Sequence, residues 1–136
     1  MTGEDIPAAV LVTEDQAPRE RLPNRRPSDV FGMEFGDKHY EVGVGFYDDG
    51  RPGEVFVKGA KTGSDLDALF DDASVLLSFL LQHGILPAAI AKSMGRVDEP
   101  AGAAASAIGA VADLLAGVGR WGQNVSESKA HEGGAA

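Results

Sequence analysis

The chain has 136 residues, of which 12 are Lys or Arg and 21 are Asp or Glu, for a formal charge of −9, with 43% hydrophobic residues and no cysteine. That length suits one domain. The missing thiols exclude disulfides, thiolate metal sites and thiol nucleophiles, and the acidic balance argues against general affinity for DNA or an anionic membrane, both of which need clustered cations.

The chain begins Met1-Thr2-Gly3-Glu4-Asp5, acidic where a secretion signal needs a basic region, and the apolar stretch from Ile6 to Val12 contains Pro7. The stretch from Val75 to Ala91 is interrupted by Ser78, Gln82, His83, Gly84 and Pro87, short of the ~20 apolar residues of a spanning helix. A cytoplasmic protein without a membrane segment is therefore expected. Residues 1–28 carry four prolines and no sustained apolar period, so they read as a mobile arm. Within the arm, Arg19, Arg21, Arg25 and Arg26 place four guanidinium groups in eight residues of an otherwise acidic chain. Residues 123–136 are polar, small and Gly-rich and read as a disordered tail.

Between arm and tail, residues 29–122 form the expected domain. Phe31, Met33 and Phe35 alternate, as do Tyr40, Val42, Val44 and Phe46, which predicts two half-buried strands. Asp48-Asp49-Gly50-Arg51-Pro52-Gly53 supplies turn residues, and Glu54 to Lys58 returns as a third strand. Ser64 and the aspartates at 65 and 67 predict a capped helix start. Leu66, Leu69, Phe70, Ala73, Leu76, Leu77 and Leu80 follow at helical spacing, and Gly84 provides the stop. The second half of this helix is apolar nearly all round, which implies a partner besides the sheet: a later helix or another subunit. A short helix from Pro87 through Met94 and an Ala-rich one from Ala103 to about Ala116 complete the pattern. The fold class is α+β: a three-stranded antiparallel sheet packed by one long helix on its Val42/Val44/Phe46 face. Two shorter helices are expected to close the other side of that helix.

Gly117-Val118-Gly119-Arg120-Trp121-Gly122 has the letters of a dinucleotide fingerprint, but a helix precedes it and no βαβ unit follows, so no nucleotide site is read there. Gly43 and Gly45 lie in a strand and are read as places where another group comes close. His39, His83 and His131 share no metal-ligand spacing, so no metal site is expected. Asp48-Asp49 and Asp71-Asp72 are read as solvated charge, and Ser64, Ser74, Ser78 and Ser106 lack a nucleophile-elbow setting. No catalytic residue is assigned. The four arginines either grip anionic groups of a phosphate ligand, nucleic acid or partner, or pair with the acidic body of the same protein. Without interleaved aromatic residues, nucleic acid is not expected.

Arg19-Glu20-Arg21-Leu22-Pro23-Asn24-Arg25-Arg26, Asp49-Gly50-Arg51-Pro52-Gly53-Glu54-Val55-Phe56-Val57, Lys61-Thr62-Gly63-Ser64-Asp65 and Leu77-Ser78-Phe79-Leu80-Leu81-Gln82-His83-Gly84 together resemble the TSCPD domain over roughly residues 19–116. That family occurs at the C-terminal end of adenosylcobalamin-dependent (class II) ribonucleotide reductases and as short stand-alone proteins. The cysteine-containing motif that names it falls at Ser106-Ala107-Ile108-Gly109, where only the serine remains. The resemblance implies adenosylcobalamin in the full-length reductases, and no cofactor is expected on this chain. It implies a non-catalytic accessory or interaction module, with a reductase large chain as partner. The alternative is a small phosphate-ligand or nucleic-acid binder using Arg19, Arg21, Arg25 and Arg26. A homodimer through the helix surface around Phe79 and Leu81 is compatible with both.

Overall fold

The computed structural model describes residues 18–123. Three strands, β1 (Ser28–Phe35), β2 (Lys38–Phe46) and β3 (Pro52–Lys58), form an antiparallel sheet in the order β1-β2-β3. Three helices follow: α1 (Asp65–Gln82), α2 (Pro87–Ser93) and α3 (Ala107–Gln123). The expected α+β class is the one observed.

Register follows from side-chain alternation. Phe31 lies opposite Val42 and Met33 opposite Tyr40, while Val42 pairs with Val57 and Val44 with Val55. A one-residue slip would turn all of these apolar groups to the other face. They join Phe70, Leu77 and Leu81 of α1 and Val111, Ala112 and Leu115 of α3 in one buried cluster. Tyr40 meets Phe70 edge to face, with ring centroids 5.4 Å apart, a geometry that suits the ring quadrupoles.

Helix α1 begins as its sequence predicts. Ser64 is the N-cap, its hydroxyl accepting from the backbone N–H of Asp67 at 3.1 Å, and Asp65 and Asp67 sit in the first turn beside the positive end of the helix dipole. Gly84, at φ +84°, takes the left-handed conformation that ends the helix. Helix α3 starts later than its alanines suggest. Residues 103–105 are held by Val97 N–H donating to Ala103 C=O at 2.9 Å and Ala105 N–H to Gly95 C=O at 3.0 Å, and Arg96 bridges Ala104. Ser106 then caps α3, its hydroxyl accepting from Gly109 N–H at 3.0 Å. The glycine-rich run at 117–122 lies inside α3, so its letters form no phosphate loop.

Two expectations are corrected. The later helices do not close over α1: α1 lies along β3, while α2 packs on α3 and α3 touches β3 and β1. Leu69 and Leu76 of α1 remain 63% and 65% exposed. The arm also does not stand free as far as residue 28. Glu20 N–H donates to Gln82 C=O at 2.7 Å and Phe46 N–H to Pro27 C=O at 2.9 Å, so residues 18–27 lie against the body. The expectations for residues 1–17 and 124–136 lie outside the described residues.

Candidate functional site

Strand β3 is a sheet edge, and its outward backbone groups need partners. Helix α1 supplies them from its side chains. Ser78 Oγ accepts from Val55 N–H at 3.0 Å, and Gln82 Nε2 donates to Gly53 C=O at 2.8 Å. Four residues of helix rise about 6.0 Å and two of strand about 6.6 Å, so polar residues four apart on α1 keep step with alternate residues of β3. Ser74 continues the series; it is buried, and its hydroxyl has no hydrogen-bond partner among the described residues.

The arm is fastened over the same end of the sheet. Arg19 Nε donates to Gln82 Oε1 at 2.6 Å, and its guanidinium lies 4.4 Å from the centre of the Phe79 ring, within cation–π range. Gln82 thus links helix, edge strand and arm. Arg26 forms a two-pronged pair with Glu54, Nε to Oε2 at 2.7 Å and Nη2 to Oε1 at 3.1 Å. That hydrogen bond raises the Arg26 pKa above its already high ordinary value. Glu54 lies across Gly45: a Cβ at that position would stand 2.4 Å from Glu54 Oε2. Leu22 packs on Gly53, where a Cβ would come within 2.9 Å of it. Tyr47 Oη donates to Glu20 C=O. Arg51 stacks 4.5 Å from the Tyr47 ring centre, donates to Glu20 Oε1 at 3.1 Å and to Asp49 Oδ2 at 2.8 Å. Burial alone would push the Asp49 carboxyl up, but hydrogen bonds from Arg51 outweigh it and hold the group below its usual range. Burial, with the Glu20 charge, raises the Tyr47 phenol.

The structure therefore splits the four arginines. Arg19 and Arg26 are tied to their own chain, while Arg21 and Arg25 are exposed and make no hydrogen bond or ion pair with a described residue. Arg21 borders a concavity of about 420 Å³ together with Arg51, Glu20, Asp48 and Asp49, a mixed-charge rim rather than a cationic cradle. A second groove, of about 450 Å³, runs between the outer side of β3 and α1. Phe56, Val75 and Phe79 form its walls, Ser74 and Ser78 also line it, and Arg19 lies at its rim. Of the two residues named for a dimer surface, Phe79 is exposed, but Leu81 is 4% exposed and belongs to the core, because it lies on the same side of the helix as Phe70 and Leu77.

Sequence reading overlooked Ser78 and Gln82 as the fastening of the sheet edge. The signal was present in three polar residues at four-residue spacing, 74, 78 and 82, on an otherwise apolar stretch of helix. What the arrangement offers chemically is recognition: stacked guanidinium groups, apolar walls and polar backbone anchors. His39 is bonded to Glu34 at 2.5 Å on the exposed outer face of the sheet, and Asp71 faces Lys58 at 3.7 Å.

The TSCPD domain model matches residues 16–118. Three similar proteins are each named vitamin B12-dependent ribonucleotide reductase. The one from Rhodopirellula baltica is 39% identical over 67 residues, 49% of this chain and 6% of the relative. That from Streptomyces clavuligerus is 36% identical over 103 residues, 74% of this chain and 11% of the relative. That from Streptantibioticus cattleyicolor is 35% identical over 100 residues, 72% of this chain and 17% of the relative. The chain thus spans a small part of the length of these relatives. No solved structure matches it significantly. The two described histidines, the side chains best suited to a transition metal, are exposed on a strand and at a helix end, and neither borders the groove. Among the described residues no three His, Cys, Asp or Glu side chains are grouped to hold a metal ion, and no helix is long and apolar enough to cross a membrane.

Proposed function

Because the chain belongs to the TSCPD domain family, we propose that it is a non-catalytic accessory module of deoxyribonucleotide synthesis that works by contact with a ribonucleotide reductase large chain. The observation that carries this reading is the use of the charged side chains around the arm. Arg19, Arg26 and Arg51 each hold a partner of their own chain, so the charges build and brace a surface instead of converging on a reacting centre. The names of the relatives supply the partner class. Composition agrees: radical chemistry on a ribonucleotide needs reactive thiols, and this chain has no cysteine.

The test is reconstitution. Purified chain is mixed with the vitamin B12-dependent reductase of the same organism and followed by sedimentation velocity. A co-sedimenting complex, weakened by Arg19→Ala or Phe79→Ala, is expected. No complex at about 10 μM of each protein, a concentration at which specific micromolar contacts are populated, overturns the reading. So does conversion of ribonucleotides by the purified chain and adenosylcobalamin alone.

One observation favours a second reading: Arg21 and Arg25 are exposed with their guanidinium groups uncommitted, which keeps a phosphate-bearing ligand in play. Binding of inorganic phosphate, nucleotides and short duplexes is titrated at two salt concentrations, because phosphate contacts weaken as salt rises. Absence of binding at low salt eliminates this reading.

A further inference from the structure

The sheet has two edges, and among the described residues only one of them is closed. Along β3, Ser78 and Gln82 of α1 take up outward backbone groups. Along β1 no such side chain does. Phe46 N–H donates to Pro27 C=O, which sets the alternation of the β1–β2 ladder, so Ser28, Val30, Gly32 and Glu34 turn their N–H and C=O groups away from β2. All four residues are exposed, and no described residue bonds to their outward backbone. Strand β1 also lacks common guards of a free edge: it pairs with β2 without a bulge and contains no proline and no lysine. The core is unfinished on the same side. Phe31 and Phe35 pack against it but are only partly buried, whereas Val42 and Val44 of the central strand are closed off, and Val30 is 68% exposed on the opposite face. A row of alternating donors and acceptors specifies the chemistry of its occupant, an extended backbone.

We propose that β1 pairs antiparallel with β1 of a second copy, joining the three strands of each chain into one continuous sheet with a twofold axis at Phe31. The strand is self-complementary in that register. Paired residues must share a face, and centring on Phe31 sets Ser28 against Glu34, Asp29 against Met33 and Val30 against Gly32 of the other copy. No acid meets an acid. Ser28 offers its hydroxyl to the Glu34 carboxylate, the two Phe31 rings meet on the core face, and Val30 fills the space beside Gly32, where a Cβ would stand 3.1 Å from His39 Cε1. All the outward residues of both strands are engaged, for about eight backbone hydrogen bonds. The same register brings Arg25 of one copy level with Asp37 of the other, at both ends of the pair. Each is exposed and makes no hydrogen bond or ion pair with a described residue, so the contact joins opposite charges that the single chain leaves uncommitted. Sliding the register one step toward the turn would set Val30 against Glu34 and bring Arg26, already paired with Glu54, to Lys38. Assembly closes at two copies, because α1 covers the remaining edge of each sheet. The pairing uses neither Arg19 nor Phe79, so it stands independently of the reductase reading.

The experiment uses the full chain alone. Light scattering at about 100 μM, where a micromolar dimer is filled, is expected to give twice 14.1 kDa. Val30→Pro removes an outward N–H and leaves the β1–β2 ladder its donors, and it is expected to return the single mass. Should that variant fail to fold, Arg25→Glu, at an exposed position, is expected to weaken the dimer about tenfold, and Asp37→Arg in the same chain to restore it. Register is read by cross-linking, for which the cysteine-free chain is a clean background: a mixture of Ser28→Cys and Glu34→Cys chains forms a mixed disulfide, and neither forms one alone. A monomeric wild type overturns the proposal, including the case in which the edge is taken instead by a strand of a reductase large chain. A dimer that Val30→Pro leaves intact overturns it too, as does one indifferent to Arg25→Glu or a disulfide in Ser28→Cys alone.

Discussion

Gly45 shows how a single missing Cβ organises the arm. The space a side chain would occupy there is taken by the Glu54 carboxylate, which is thereby aimed at Arg26. Because Glu54 is flexible, Gly45→Ala is expected to displace that carboxylate rather than break the sheet. The consequence is loss of the arginine's partner and release of the arm, read as a several-fold faster tryptic cut after Arg25, since Pro27 blocks the bond after Arg26. Gly43→Ala is the control: its Cβ would lie 3.9 Å from Phe56, an ordinary contact, and no change in cleavage is expected. At Ser64 the expectation is thermodynamic. Removing the cap hydroxyl leaves the Asp67 N–H without its partner, so Ser64→Ala should cost about 1 kcal/mol, seen as a lower midpoint in urea. These two positions also mark what sequence can reveal. The Ser64 cap is local, written within four residues, and is readable directly. The Arg26–Glu54 pair joins residues 28 apart, and nothing in the arm's composition distinguishes an arginine that finds such a partner from Arg25, which does not. Within the cluster, Arg19 and Arg26 pair with their own chain, while Arg21 and Arg25 make no hydrogen bond or ion pair with a described residue.

At the scale of elements, the three strands and α1 were legible because each repeats its own period, and their burial follows that period. The relation between elements was less legible. An apolar helix surface announces that something covers it, but not what; α2 and α3 pack on each other and α3 on the sheet, leaving Leu69 and Leu76 of α1 exposed. The start of α3 was misplaced because alanine has high helix propensity wherever it stands, while the bridge at 96–104 takes up Ala103 to Ala105 first. The fastening of β3 by α1 yields a paired prediction. Ser78→Ala strips Val55 N–H of its partner and should destabilise by about 1–3 kcal/mol. Ser74→Ala removes a buried hydroxyl that has none and should be neutral or stabilising by about 1 kcal/mol. Equilibrium urea unfolding of both variants decides it: equal losses would mean that the two hydroxyls are equivalent and that the strand edge is not held as described.

For the whole molecule, acid response sets two effects against each other. A net charge of −9 at pH 7 repels itself, and this repulsion fades as the pH falls toward the sequence pI of about 4.6, which favours the folded state. Acting the other way are carboxylates whose pKa folding lowers. Hydrogen bonds from Arg96, at 2.7 Å to each oxygen, hold the Asp113 carboxyl below its usual range against the opposing effect of burial. Asp49 is lowered by Arg51. A carboxylate depressed in this way contributes stability at pH above its unfolded value of about 3.9, and that contribution is lost as the pH falls through the folded value. Thermal midpoints should therefore hold or rise between neutral pH and the pI, then drop below about pH 4. Arg96 also donates to the Ala91 carbonyl at 2.5 Å, so the Asp113 pair fastens the loop after α2 to α3, and its rupture frees a segment rather than a single side chain. Asp113→Asn, which cannot ionise, should start less stable at neutral pH and show a shallower acid limb than the wild type. Parallel acid limbs in the two proteins would show that the Arg96 clasp has no share in the acid response and that ordinary surface carboxylates account for it.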